Sequence, residues 1–214
     1  MSYINFNPWV GKDYFTKGFQ GKRILVLGES HYCKNELAKN GRCFPLCLKE
    51  NMDSACYSQT QDVIYDMIYK YKGEPYQRTF ICFERAMLGK ELTQTERETF
   101  WQSVMFYNYL QYSQSAPRTT PQSEHWSESK KAFSELLEKY SPEKIIVWGV
   151  RLYDYLHNFN GKDYKLIVSD NNIAEIRYIS FNGHNIPALK MLHPSCSRGK
   201  NWEYWHKIIS KFLE

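Results

Sequence analysis

The sequence predicts an α/β sandwich built on a mostly parallel sheet. Two apolar runs, Ile24-Leu25-Val26-Leu27 and Ile145-Ile146-Val147-Trp148, each end at a glycine and read as strands buried on both faces. Between and around them lie segments whose apolar residues recur at helical spacing. Strands alternating with helices are the signature of a sheet assembled through helical crossovers. At 214 residues the chain suits one domain, residues 1–214, with enough length to bury a sizeable core.

Arg23–Gly28 reads as the first strand. From Ser58 to Tyr71, Val63, Ile64, Met67 and Ile68 share one helical face, and Gly73 and Pro75 end the helix. A second helix is expected over Thr79–Lys90. Thr93 with Glu96 three residues on forms a capping box that starts a third. That helix runs into the strand Val104–Leu110. Ser113–Ser123, rich in Ser, Thr and Pro, reads as loop, and Ser127–Tyr140 as an amphipathic helix stopped by Pro142. Lys144–Trp148 is the next buried strand, with a helix from about Leu152. Glu175–Phe181 and Ile186–Leu192 flank Asn182-Gly183, a strong hairpin signal that adds antiparallel pairing near one edge. Trp202–Leu213 closes the chain as an amphipathic helix.

Composition sets the class of partner. The 28 basic against 23 acidic residues give a formal net charge of +5, compatible with a nucleic-acid partner without demanding one. The 17 tyrosines and 12 phenylalanines suit stacking and wet interfaces as well as core filling. No apolar run approaches the ~18 residues of a membrane span. The opening MSYINFNPWVGKDYF lacks the basic start and apolar stretch of a secretory signal. A cytoplasmic protein with no membrane partner is expected, and no obligate protein partner is evident. The six cysteines then read as thiols or metal ligands rather than disulfides.

In a parallel sheet the carboxyl ends of the strands share one edge, where ligands bind. Polar groups fall at three such ends. The first is Gly28-Glu29-Ser30-His31-Tyr32, the second Asn108, the third His193-Pro194-Ser195. An asparagine amide offers a donor and an acceptor to the edge of a base. A histidine donor stabilises an anion forming on a leaving group. A carboxylate orients water or balances a cation forming on a sugar. Each residue also has a structural alternative: Glu29 as a solvated carboxylate, His31 as a polar loop residue, Tyr32 and Phe44 as core, Asn108 as a bond to backbone.

Taken together, these motifs resemble the uracil-DNA glycosylase superfamily from about Arg23 onward. That family's first strand ends in a Gly-Gln-Asp-Pro-Tyr-His or Gly-Glu-Ala-Pro-Gly loop, matched here by Gly28-Glu29-Ser30-His31-Tyr32. Its stacking phenylalanine, in Gly-Leu-Cys-Phe, corresponds to Phe44 in Gly41-Arg42-Cys43-Phe44. Its base-reading asparagine corresponds to Asn108 in MFYNYLQ. A Pro- and Arg-containing loop resembles Pro117-Arg118-Thr119-Thr120-Pro121, and the last motif corresponds to His193-Pro194-Ser195. The segment IIVWGVRLYDYL fits the strand–helix unit before it. Order and spacing carry the likeness, since each motif is short.

The resemblance implies a three-layer α/β/α sandwich on a central, mostly parallel four-stranded sheet. It implies a DNA glycosylase that hydrolyses the N-glycosidic bond of a flipped damaged base, uracil by analogy, with DNA as partner and no diffusible cofactor. Glu29, His31 and His193 are the expected catalytic groups, and Gly28, Tyr32, Phe44 and Asn108 the base-binding ones, with Tyr32 excluding the thymine methyl. Ser195, Arg198, Lys200 and Arg118 are the expected DNA contacts. Ser30 falls where the family's water-activating aspartate lies, so either Glu29, a carboxylate elsewhere or His31 takes that work, or the protein lacks the activity. Some members hold an iron–sulfur cluster, and Cys33, Cys43, Cys47 and Cys56 are the residues to hold a cluster or zinc here, with free thiols the alternative. Two other readings stay open: a nucleotide- or nucleic-acid-binding module of the same fold, and a hydrolase of another class using Glu29 and His31.

Overall fold

A computed structural model describes residues 2–32, 52, 54–114, 119–159, 163–169, 172–195 and 201–214. The strands are β1 (Trp9–Val10), β2 (Ile24–Gly28), β3 (Met105–Asn108), β4 (Lys144–Trp148), β5 (Asp163–Ser169), β6 (Asn172–Phe181) and β7 (His184–Met191). The helices among the described residues are α1 (Ser54–Tyr69), α2 (Gln77–Leu88), α3 (Gln94–Ser103), α4 (Ser123–Tyr140), α5 (Val150–Tyr155) and α6 (Trp202–Leu213). A 3-10 turn over Leu156–Phe159 follows α5.

Sequence chemistry accounts for the helix ends. Thr93 caps α3 by accepting from the Glu96 N–H, and Glu96 reaches back to the Thr93 N–H, so the expected capping box is present. α2 stops at Gly89, whose φ of 71° is left-handed and whose missing Cβ makes room for the His206 ring of α6. Boundaries shift outward elsewhere: α1 starts at Ser54 rather than Ser58, and α4 at Ser123 rather than Ser127.

Helices cover both faces of the sheet because the strand side chains alternate. Ile24, Val26, Phe106, Ile146, Trp148 and Leu189 pack with apolar residues of α1, α2, α3 and α6. Leu25, Leu27, Met105, Tyr107, Ile145, Val147 and Ala188 pack with α4 and α5 on the other side. Under the first face, the buried Glu84 carboxylate accepts from Arg97 Nε at 3.1 Å and from Trp101 Nε1 at 2.8 Å. Burial raises the Glu84 pKa, and these donors pull against it.

The α/β class is as expected, but the expected four-stranded, mostly parallel sheet is corrected. Among the described residues the sheet has seven strands in the order β1-β3-β2-β4-β7-β6-β5. β3, β2, β4 and β7 are joined by parallel pairings. β1 on β3, β6 on β7 and β5 on β6 are antiparallel, and this part of the ladder is at least as extensive. The difference has physical causes. A two-residue strand such as β1 carries no period to read, and β5 is held by its pairing with β6, a contact made in space. The Asn182-Gly183 turn does join β6 to β7, both residues with positive φ, 47° and 78°. No helix among the described residues is long and apolar enough to cross a membrane.

Candidate functional site

The parallel pairings bring the carboxyl ends of β3, β2, β4 and β7 to one edge. Register sets Gly28 beside Asn108, and the pairing of Leu27 with Val147 continues to place Trp148 on the other flank of Gly28. Trp148 in turn lies beside Met191, two residues before His193. By alternation these side chains share the face covered by α1, α2, α3 and α6.

Gly28 is required by its neighbour. A Cβ built there would stand 2.2 Å from Asn108 Oδ1 and 3.4 Å from Phe106 Cζ. The half-buried Asn108 amide therefore occupies the space a side chain would fill. Among the described residues that amide makes no hydrogen bond, so its donor and acceptor remain for a ligand. The Asn108 backbone carbonyl accepts from Gln111 Nε2 at 3.0 Å.

The loops after β2 and β3 run on together past the sheet. Tyr109 N–H donates to the Gly28 carbonyl, Leu110 N–H to that of Glu29 and Gln114 N–H to that of His31. Gln111 fastens this pair of loops from behind. Its Oε1 accepts from the N–H groups of Asn5 and Phe6 at 2.8 and 2.9 Å, and its own N–H donates to Ser129 Oγ of α4.

His31, one of the expected catalytic groups, lies buried just after β2. Its ring is 3% exposed, stacks on Phe6 and meets Thr60 Oγ1 through Nε2 at 2.6 Å. Among the described residues Nδ1 makes no well-formed hydrogen bond, although the Leu110 backbone nearby favours the charged form. Burial dominates and lowers the pKa to about 3, so the imidazole is neutral at physiological pH.

Glu29 meets the solvent side of the site, its side chain 18% exposed and held by Arg151 of α5. Arg151 Nε donates to Oε2 at 2.8 Å and Nη2 donates to Oε1, a bidentate fork. Nη2 also reaches the Thr119 carbonyl at 3.3 Å. Ser30 Oγ donates to Glu29 Oε1 at 3.3 Å, so the residue in the aspartate position supports the carboxylate beside it. Tyr32 is exposed, its carbonyl held by Gln59 Nε2. Its phenol pKa is raised, first by burial and then by the Glu29 charge, with Arg151 opposing.

His193 and Ser195 are exposed at the end of β7. Nδ1 of His193 lies 2.8 Å from Ser195 Oγ and accepts the Ser195 N–H at 3.4 Å. In the tautomer whose Nδ1 accepts from Ser195, the neutral ring carries its proton on Nε2, which makes no hydrogen bond among the described residues. Although the ring reaches solvent, surrounding protein lowers its pKa, and the charge of Glu29 pulls it partly back. Glu29 and His193 therefore act within one electrostatic neighbourhood. Trp148 stands edge-on to His193, ring centres 6.2 Å apart, with its own indole N–H buried and without a hydrogen-bond partner among the described residues.

Phe44, Arg118, Arg198 and Lys200 lie outside the described residues, as do Cys33, Cys43 and Cys47. Cys56 is half-buried at the start of α1. Among the described residues no cluster of His, Cys, Asp and Glu could hold a metal. Sequence reasoning missed Arg151, Trp148 and Gln111. The rule that found Glu29 and Asn108 also covers the first two, since both flank Gly149 at the carboxyl end of β4. Gln111 carried no such signal, because its partners at positions 5 and 6 are fixed only by folding.

Compared with models of known protein families and with curated protein sequences, the chain matches none.

Proposed function

We propose that the protein hydrolyses the N-glycosidic bond of a flipped base, uracil, in DNA. The observation that carries this reading is that the Asn108 amide and His193 Nε2 stand at one sheet edge with no hydrogen bond among the described residues, His193 within reach of the Glu29 charge. Asn108 bonds the polar edge of the base. As the glycosidic bond breaks, its electron pair passes to the base, and His193 donates to the oxygen where negative charge gathers. The sugar becomes cationic at C1′ next to Glu29. Water adds there and releases a proton, leaving an abasic site. Flipping is needed because the bond is inaccessible in a stacked duplex.

Within the seven-stranded sheet we assign the run β3-β2-β4-β7 as the four-stranded core of a uracil-DNA glycosylase-type sandwich. Tyr32 serves as the wall that excludes the thymine methyl, and Phe44 as the stacking platform. Ser195, Arg198, Lys200 and Arg118 contact the DNA backbone. No diffusible cofactor enters this scheme. A cytoplasmic setting is part of this proposal.

A gel assay with a uracil-containing oligonucleotide tests the proposal. Abasic product is expected, with Asn108→Ala or His193→Ala slowing single-turnover excision on the order of 100-fold. One observation favours a second reading. Glu29 is already bound to Arg151, and Ser30 stands in the acid's place, so the same edge could hold a nucleotide without cleaving it. Tight binding with no product at high protein and long times selects that reading.

A further inference from the structure

Arg151 lies in the strand–helix unit IIVWGVRLYDYL but is not one of the expected site residues, yet it is the group that fixes Glu29. We infer that Arg151 is a positioning residue, whose guanidinium fork sets the Glu29 carboxylate at the carboxyl edge of the sheet and moderates the negative charge it offers there. The inference rests on the glycosylase reading for its effect on rate, but not for its effect on the site's electrostatics.

The geometry supports this in three ways. Nε and Nη2 address both carboxylate oxygens, which fixes the plane as well as the position of the carboxylate. Nη2 is anchored a second time by the Thr119 carbonyl, and Arg151 itself rides on the first turn of α5, directly after β4. The fork therefore ties the loop after β2 to the end of β4, across Gly28. Arg151 is 44% exposed, so the pair contributes little to stability in solvent, and its consequence lies in orientation. A carboxylate that must face a developing sugar cation gains from being held, since a small misplacement costs about 100-fold in rate.

The test uses the full chain with two readouts. In single-turnover excision of uracil, Arg151→Gln and Glu29→Gln are each expected to slow the reaction about 100-fold, with the double variant no slower than Glu29→Gln alone. Added guanidinium is expected to restore Arg151→Ala only when Glu29 is present. The second readout is the titration of His193 by NMR, which needs no turnover. Glu29 is the charged group that acts on His193 among the described residues. Removing Arg151 leaves that charge unneutralised, so the His193 pKa rises, whereas Glu29→Gln lowers it. Additive rate losses, or a His193 titration unmoved by Arg151→Gln, would overturn the inference. An inactive wild-type protein with the titration shift intact overturns the glycosylase reading and upholds the positioning role.

Discussion

The imidazole of His31 lies stacked on the ring of Phe6, centres 4.0 Å apart and planes 25° from parallel. Burial there lowers its pKa to about 3, whereas the unfolded chain protonates it at the ordinary value near 6.5. Between those values the unfolded state binds more protons, so stability is full above pH 6.5 and falls as pH drops toward 3. The expected slope is about 1.4 kcal/mol per pH unit. Urea denaturation at pH 7, 6, 5 and 4 should show this slope in the wild type. His31→Gln should flatten it, and an unchanged slope would place the ring in water instead.

Gly28 and Asn108 compete for one volume. Gly28→Ala puts a methyl 2.2 Å from Asn108 Oδ1 and is expected to cost about 1 to 3 kcal/mol. In an Asn108→Ala background much of that cost should disappear, because the obstructing oxygen is gone. Chemical denaturation of the two single variants and the double variant measures the coupling, and additive losses would contradict the close approach.

Asn108→Ala alone separates stability from function. The amide makes no hydrogen bond among the described residues, so its removal should change stability by less than about 1 kcal/mol. Uracil excision or binding should fall by on the order of 100-fold. A large loss of stability would show that the amide is a structural group after all.

Glu84 holds Arg97 and Trp101 in the core under the sheet. Glu84→Ala strands a buried guanidinium and should destabilise the protein by about 3 to 5 kcal/mol. The expected readout is a clear drop in the denaturation midpoint.

Much of the layout was legible because it depends on local pattern. Ile24–Leu27 and Ile145–Trp148 announced buried strands, Thr93 and Glu96 announced a capped helix, and Asn182-Gly183 announced a hairpin. Glu29, Asn108 and His193 were singled out as candidates because strand ends are short and their polar residues stand out against apolar neighbours. What stayed hidden depends on tertiary pairing. Nothing near His31 in sequence says that Phe6 and Thr60 close over it, so a buried ring read as a loop group. The pairing of Arg151 with Glu29 carried no signal of its own, because the 122 positions that separate them close only in space.

The clasp made by Gln111 reaches beyond packing. Its side chain binds Asn5 and Phe6, its amide steadies the Asn108 carbonyl, and Phe6 in turn roofs His31. Four positions, 5, 6, 31 and 111, thus share a single mechanical fate. In any lineage of homologous chains they should drift in concert, and a substitution at one of them should survive only where a compensating change has already arisen at another.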